Sequence, residues 1–190
     1  MALDKNKLKQ ALVDNFTTIR ESSLSAVDSA NGMAQAIVDY AGDAEVAVGL
    51  LIPMIPAIPP AAPVPDISVL TGTLLGTTTA TVGQSILSAA ILSSFTAKDP
   101  VMGLITTGIV AYALTFTSFT NNNALATVVT TMSLPPIFNN IAWTDAGLSE
   151  EEIATEMASI IHQSFISAAH TGTVVSLLGT IPVLIAGTLQ

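Results

Sequence analysis

The sequence predicts a mainly α protein, built as a helical hairpin, an extended proline-rich arm and a buried helical body with Thr/Gly-rich extended segments. Three observations carry that reading. Apolar residues recur at helical spacing in several separate windows. Six of the ten prolines crowd into residues 50–65, "LLIPMIPAIPPAAPVP". Charged residues are only 10% of the chain, against roughly a quarter in ordinary soluble domains.

Residues 4–20 read as an amphipathic helix with Asp4 at its N-cap and Leu8, Leu12, Phe16 and Ile19 on one stripe. Ser22 or Ser23 caps a second helix that reaches about Ala41, with Leu24, Val27, Met33, Ala34, Ile37 and Ala41 facing inward. The break near Arg20–Ser23 makes the two a hairpin. Gly42 and Gly49 in "AGDAEVAVG" end the helical pattern.

The proline-rich stretch follows. Pro53, Pro56 and Pro59 are three apart, as are Ile52, Ile55 and Ile58. Polyproline II has three residues per turn, so each set forms one edge of a left-handed rod, and sixteen residues span roughly 50 Å. An isoleucine edge of that length needs a protein surface to lie on. These six residues are the candidate interaction site.

Residues 71–83, "TGTLLGTTTATVG", read as extended or loop structure, and 83–95 as a helix. That helix turns Ile86, Leu87, Ala90 and Ile91 inward and carries small residues (Ser85, Ser88, Ala89, Ser93) that permit close helix approach. A further helix starts with Asp99 as N-cap and Pro100 at the first helical position. Its stripe is Val101, Leu104, Ile105, Gly108, Ile109, Tyr112 and Phe116. Asn121–Asn123 mark a turn. Residues 124–134 fit either a strand or a helix, and Pro135–Pro136 end them. Ser149 with Glu152 three residues on is a capping box for a last helix carrying Ile153, Met157, Ile160, Ile161 and Phe165, expected to reach about His170. The phrase "TGTLLGT" (71–77) returns as "TGTVVSLLGT" (171–180), a repeat open to two readings, pseudo-symmetry or, the preferred one, shared composition. The organisation expected is a hairpin at 1–45, a Pro/Thr/Gly-rich connector at 46–82, and an apolar helical body with an extended tail at 83–190.

Charge narrows the function. The net charge is −9, and four of the five basic residues lie within the first twenty positions. Phosphate neutralisation needs many Lys and Arg contacts, so nucleic acid is not an expected partner. No charged side chain lies between Pro100 and Thr144. A surface so poor in charge is expected to be covered by neighbouring copies, other proteins or lipid.

No catalytic constellation emerges. There is no cysteine, no G-x-S-x-G elbow, and no lysine in the Gly/Thr run to make a phosphate loop. His162 and His170, read as eight apart on one helix, stand about 12 Å apart along it, too far to share a metal. Glu150–Glu152 and Glu156 are accounted for by a solvated helix start. Trp143, Tyr40 and Tyr112 are too few and scattered for a stacking platform. No enzyme activity, cofactor or metal is expected. Residues 101–119 are uncharged and near the minimum length of a membrane span. Five Thr and Ser side chains, almost no flanking Lys/Arg and the adjacent proline rod argue against one.

The N-terminal "MALDKNKLKQALVDNF" and "MAQAIVDYA" resemble the start of small virion proteins of tailed, myovirus-type bacteriophages, over roughly the first 45 residues. Those proteins similarly begin "MAL", continue with a Lys-dotted helix, then a helix ending A-I-x-x-Y, here "AIVDYA" at 36–41. The resemblance implies a non-enzymatic structural protein of the virion tail, baseplate or neck, assembled in the host cytoplasm, whose partners are itself, as a homo-oligomer, and other virion proteins. The alternative expectation is a membrane-active, holin-like or pore-forming protein.

Overall fold

A carboxylate starts the first helix and an apolar stripe gives it a face to bury. The computed structural model describes residues 3–43, 45–51, 67–74, 77–99, 102–115, 118–121, 124–132, 134–138, 147–176, 179–183 and 185–189. Helix α1 spans Lys5–Ser22, and Asp4 Oδ1 accepts from the Asn6 amide at 2.8 Å. Leu8 and Leu12 are buried, with Phe16 packed at the margin. Ser23 turns the chain in the left-handed region (φ 48°), and α2 follows as Ala26–Gly42. Its cap is Ser25 rather than Ser22 or Ser23. Helix α1 runs on through Ser22, and the left-handed turn must finish before a second helix can start. Met33, Ala34, Ile37 and Ala41 are buried as expected, whereas Val27 in the first turn is 51% exposed.

Strands β1 (Glu45–Leu51) and β2 (Ile67–Leu74) pair antiparallel from Glu45↔Thr73 to Leu51↔Ile67. Leu50 and Leu51, read from sequence as the start of the rod, therefore belong to a strand. Ile52, Pro53, Ile55, Pro56, Ile58 and Pro59 lie outside the described residues.

Helix α3 begins earlier than its pattern suggested, at Thr77, and runs to Ala97. Threonines are poor helix formers, so the Thr-rich first turns read as extended. Lys98 and Met102, both with positive φ (52° and 53°), turn the chain into α4, Gly103–Ala113. The helix thus starts three residues after Pro100. Asp99 still supplies a cap, its Oδ2 accepting from the Leu104 amide at 2.9 Å. At 11 residues, α4 is about half the length a membrane span needs. No described helix is long and apolar enough to cross a membrane.

Strands β3 (Ser118–Asn121) and β4 (Ala124–Thr131) form a hairpin with Asn121 opposite Ala124. The ambiguous stretch at 124–134 is thus a strand over most of its length. Helix α5 spans Glu150–Ile166, with both halves of the Ser149–Glu152 capping box formed. It stops short of His170, which lies in β5 (Ala169–Ser176) opposite Thr130. The β-branched run after Ala168 takes sheet partners instead of a further helical turn. Strands β6 (Gly179–Val183) and β7 (Ile185–Leu189) complete the chain.

The fold is mainly helical, and the Thr/Gly-rich extended segments are gathered into one antiparallel sheet of order β6-β5-β4-β3-β2-β1-β7. β6 and β7 sit at opposite ends of that order, although one residue separates them in sequence. The C-terminal segment pairs with β5 through its first half and with β1 through its second. β5 and β7 also lie close together, so the order closes back on itself. Closure needs staggered strands and removes exposed edges, and a segment shared between two neighbours supplies the stagger.

Strand directions sort the connections. α2 leads into β1, α3 and α4 join β2 to β3, and α5 joins β4 to β5, all at one end of the sheet. The β1–β2, β3–β4 and β5–β6 connections are all at the other. The helices pack mainly on one another, α5 on α1, α1 on α2, α2 on α3 and α3 on α4. Their shared core includes Leu12, Met33, Ile37, Leu87, Ile91, Ile105, Ile109, Met157 and Phe165. The small residues pay off at the α3–α4 seam: a Cβ on Gly108 would stand 2.4 Å from that of Ala90.

Candidate functional site

Among the described residues, titratable side chains gather in three places, and each is tied to the packing of the helices. The first is between α2 and α5. Tyr40, near the end of α2, is 1% exposed. Its hydroxyl lies 2.7 Å from Nδ1 of His162, a half-buried residue of α5. The Tyr40 ring stands edge-on to Phe165 at 5.8 Å and to His162 at 6.2 Å. Burial, and then the Asp4 charge, pushes the tyrosine hydroxyl well above its ordinary value, so it keeps its proton. Burial, followed by the Lys5 charge, pushes His162 below 6.5, with Asp4 opposing. Both groups are thus neutral; the phenol is the stronger donor and the imidazole nitrogen the stronger acceptor, so we assign the tyrosine as donor to Nδ1, with the imidazole hydrogen on Nε2. His162 and His170 are not on one helix, and the structure does not bring them into one site.

The second place is the α1–α5 seam. Lys9 Nζ donates to Glu151 at 2.8 Å and Arg20 Nη1 to Glu150 at 3.0 Å. Lys7 pairs with Asp43 beyond the end of α2. Basic residues clustered on α1 thus meet the acidic first turn of α5, in exposed pairs worth about 0–1 kcal/mol each. Across the α2–α3 seam, Gln84 donates to Gln35 at 2.7 Å and Ser88 to Asn31.

The third is an open cleft of about 720 Å³ lined by Leu148, Ser149, Glu151, Glu152, Thr155 and Glu156. Two of its three carboxylates are already engaged. Glu152 accepts from the Ser149 amide and hydroxyl at 2.7 Å, which holds its carboxyl below the usual range, and Glu151 accepts from Lys9. Among the described residues, no cluster of His, Asp and Glu is placed to hold a metal ion. Tyr112 is buried at the α4 core, and burial raises its hydroxyl in the same way.

Large apolar side chains remain on the surface. Leu134 and Ile137 are each 55% exposed on a segment held to α4 by Thr106, whose hydroxyl donates to the Pro136 carbonyl. Sequence reasoning did not find the Tyr40–His162 pair, whose members are 122 positions apart. The only local sign was a histidine on the helix that carries Phe165. No known protein family, curated protein or solved structure matches the chain.

Proposed function

We propose that this chain is a non-enzymatic structural component of a bacteriophage virion, in the tail, baseplate or neck, acting through homo-oligomerisation and contacts to other virion proteins. The observation that carries the reading is the pairing of Leu51 with Ile67 at the end of the sheet away from the helices. The proline-rich stretch is thereby anchored at both ends to paired strands, at the end where the other two connections are only two residues long. A long apolar insertion at one end of a sheet is suited to meeting a neighbour. The low charge content and exposed Leu134 and Ile137 add surface that a neighbour would cover. The resemblance of the first 45 residues supplies the virion context.

Electron microscopy of the purified protein, with light scattering for mass, tests the proposal. Rings, fibres or particle-bound copies are expected. A monodisperse monomer that joins no particle overturns it.

A further inference from the structure

Helices α2 and α5 both flank α1, and their own backbones are not among the closely packed pairs. What joins them directly is side chain to side chain, with Tyr40 of α2 reaching His162 and Phe165 of α5. We propose that the Tyr40–His162 hydrogen bond is an acid-sensitive latch between α2 and α5, which protonation of His162 releases.

With the tyrosine as donor, the bond needs a lone pair on Nδ1. A proton added there makes Nδ1 a donor, and the tyrosine must turn its own hydrogen elsewhere. Tyr40 is 1% exposed, so water cannot readily take that hydrogen, and an unsatisfied buried donor is costly. Among the described residues, the charges acting on His162 come from α1 and its cap. Lys5 disfavours the imidazolium, and Asp4 partly favours it. Burial is the larger effect and acts with Lys5. The folded chain therefore binds fewer protons at His162 than the unfolded chain does. The latch's contribution is complete above about pH 6.5 and is lost as pH falls from there through the lower folded value.

Hydrogen exchange at pH 7.5 and pH 5, corrected for the intrinsic rate at each pH, reads the latch. In the wild type, amides at the end of α2 (37–42) and the last turn of α5 should lose protection at pH 5 by roughly fivefold, the worth of one hydrogen bond. His162→Gln retains an acceptor but cannot titrate, and should show the same protection at both values. His170→Gln should behave as the wild type. Equal protection of the wild type at both pH values, or an undiminished loss in His162→Gln, overturns the proposal. Tyr40→Phe, which keeps the ring and removes the donor, should lose the pH response even if it is less stable throughout.

Discussion

Gly108 allows the sharpest test of the helical core. It lies mid-way along α4, where alanine is ordinarily better by about 1 kcal/mol. Here the added methyl would stand 2.4 Å from Ala90 Cβ, with Ala90 Cα and the Ile86 carbonyl at 3.9 Å. Two methyl groups need more than 1 Å beyond that separation. Ala90 has no rotamer to adopt, so the backbones of α3 and α4 must move apart. Overpacking of this kind costs about 1–3 kcal/mol, and a rigid clash belongs at the upper end. After the propensity gain, Gly108→Ala should lose about 2 kcal/mol. Urea unfolding followed by far-UV circular dichroism measures this as a lower midpoint at unchanged slope. In a chain of this length the melting temperature should fall by about 4–8 °C. Adding Ala90→Gly removes the opposing methyl, so the double variant should be more stable than the sum of the single changes by 1 kcal/mol or more. Gly108→Ala at or above wild-type stability, or a double variant showing no coupling, would refute the close α3–α4 seam.

Two further outcomes follow from the same packing and from the caps. Gly83→Ala puts a Cβ 2.4 Å from the Tyr112 ring and 3.1 Å from Thr115 Oγ1; because Tyr112 is buried, the ring has little room to yield, and thermal melts should show a loss of about 1–2 kcal/mol. Ser149→Ala removes the α5 cap and should cost about 1 kcal/mol. It should also lessen the acid limb of stability without abolishing it, since the Ser149 amide, the larger cause of the depressed Glu152 carboxyl, is kept and only the hydroxyl is lost. That carboxyl stabilises the fold above its unfolded value of 4.5 and loses the effect as pH falls through the folded value; melts from pH 7 to pH 3 measure it.

What was legible in the sequence was local. Asp4 and Ser149 announce helices α1 and α5 because a cap acts on amides two or three residues away. The stripes of α2 and α5 are readable because burial repeats along each helix. The α3 start is not, because threonines at 77–79 have low helix propensity and suggest extended chain. The end of α5 was missed for a related reason. Apolar spacing continues past Ile166, but the choice of strand over helix rests on β4, whose Thr130 is forty positions from His170. The sheet order likewise depends on a C-terminal segment meeting β1, more than a hundred residues earlier. The candidate Tyr40–His162 pair has the same origin, being made by two helices that meet only in the folded chain.

The closing of β1 onto β2 permits a test that separates folding from assembly. Leu51 faces Ile67 across the ladder, so residues 52–66 can be replaced by Asn-Gly, the preferred two-residue connection between antiparallel strands. Among the described residues, the members of the helical core come from α1 to α5 and the segments beside them. A shorter loop also lowers the entropy of closure, by an amount that grows only with the logarithm of length. The shortened chain should therefore keep its helical content and melt within about 2 °C of the wild type. If the proline-rich segment is the surface that meets neighbours, the shortened chain should stay monomeric at concentrations where the full chain forms larger species, read by light scattering and electron microscopy. Assembly by the shortened chain, equal in extent and form to that of the full chain, would move the interface elsewhere, to the exposed Leu134–Ile137 segment first. A shortened chain that fails to fold would instead make the segment part of the protein's own core, and the role proposed for it would fall.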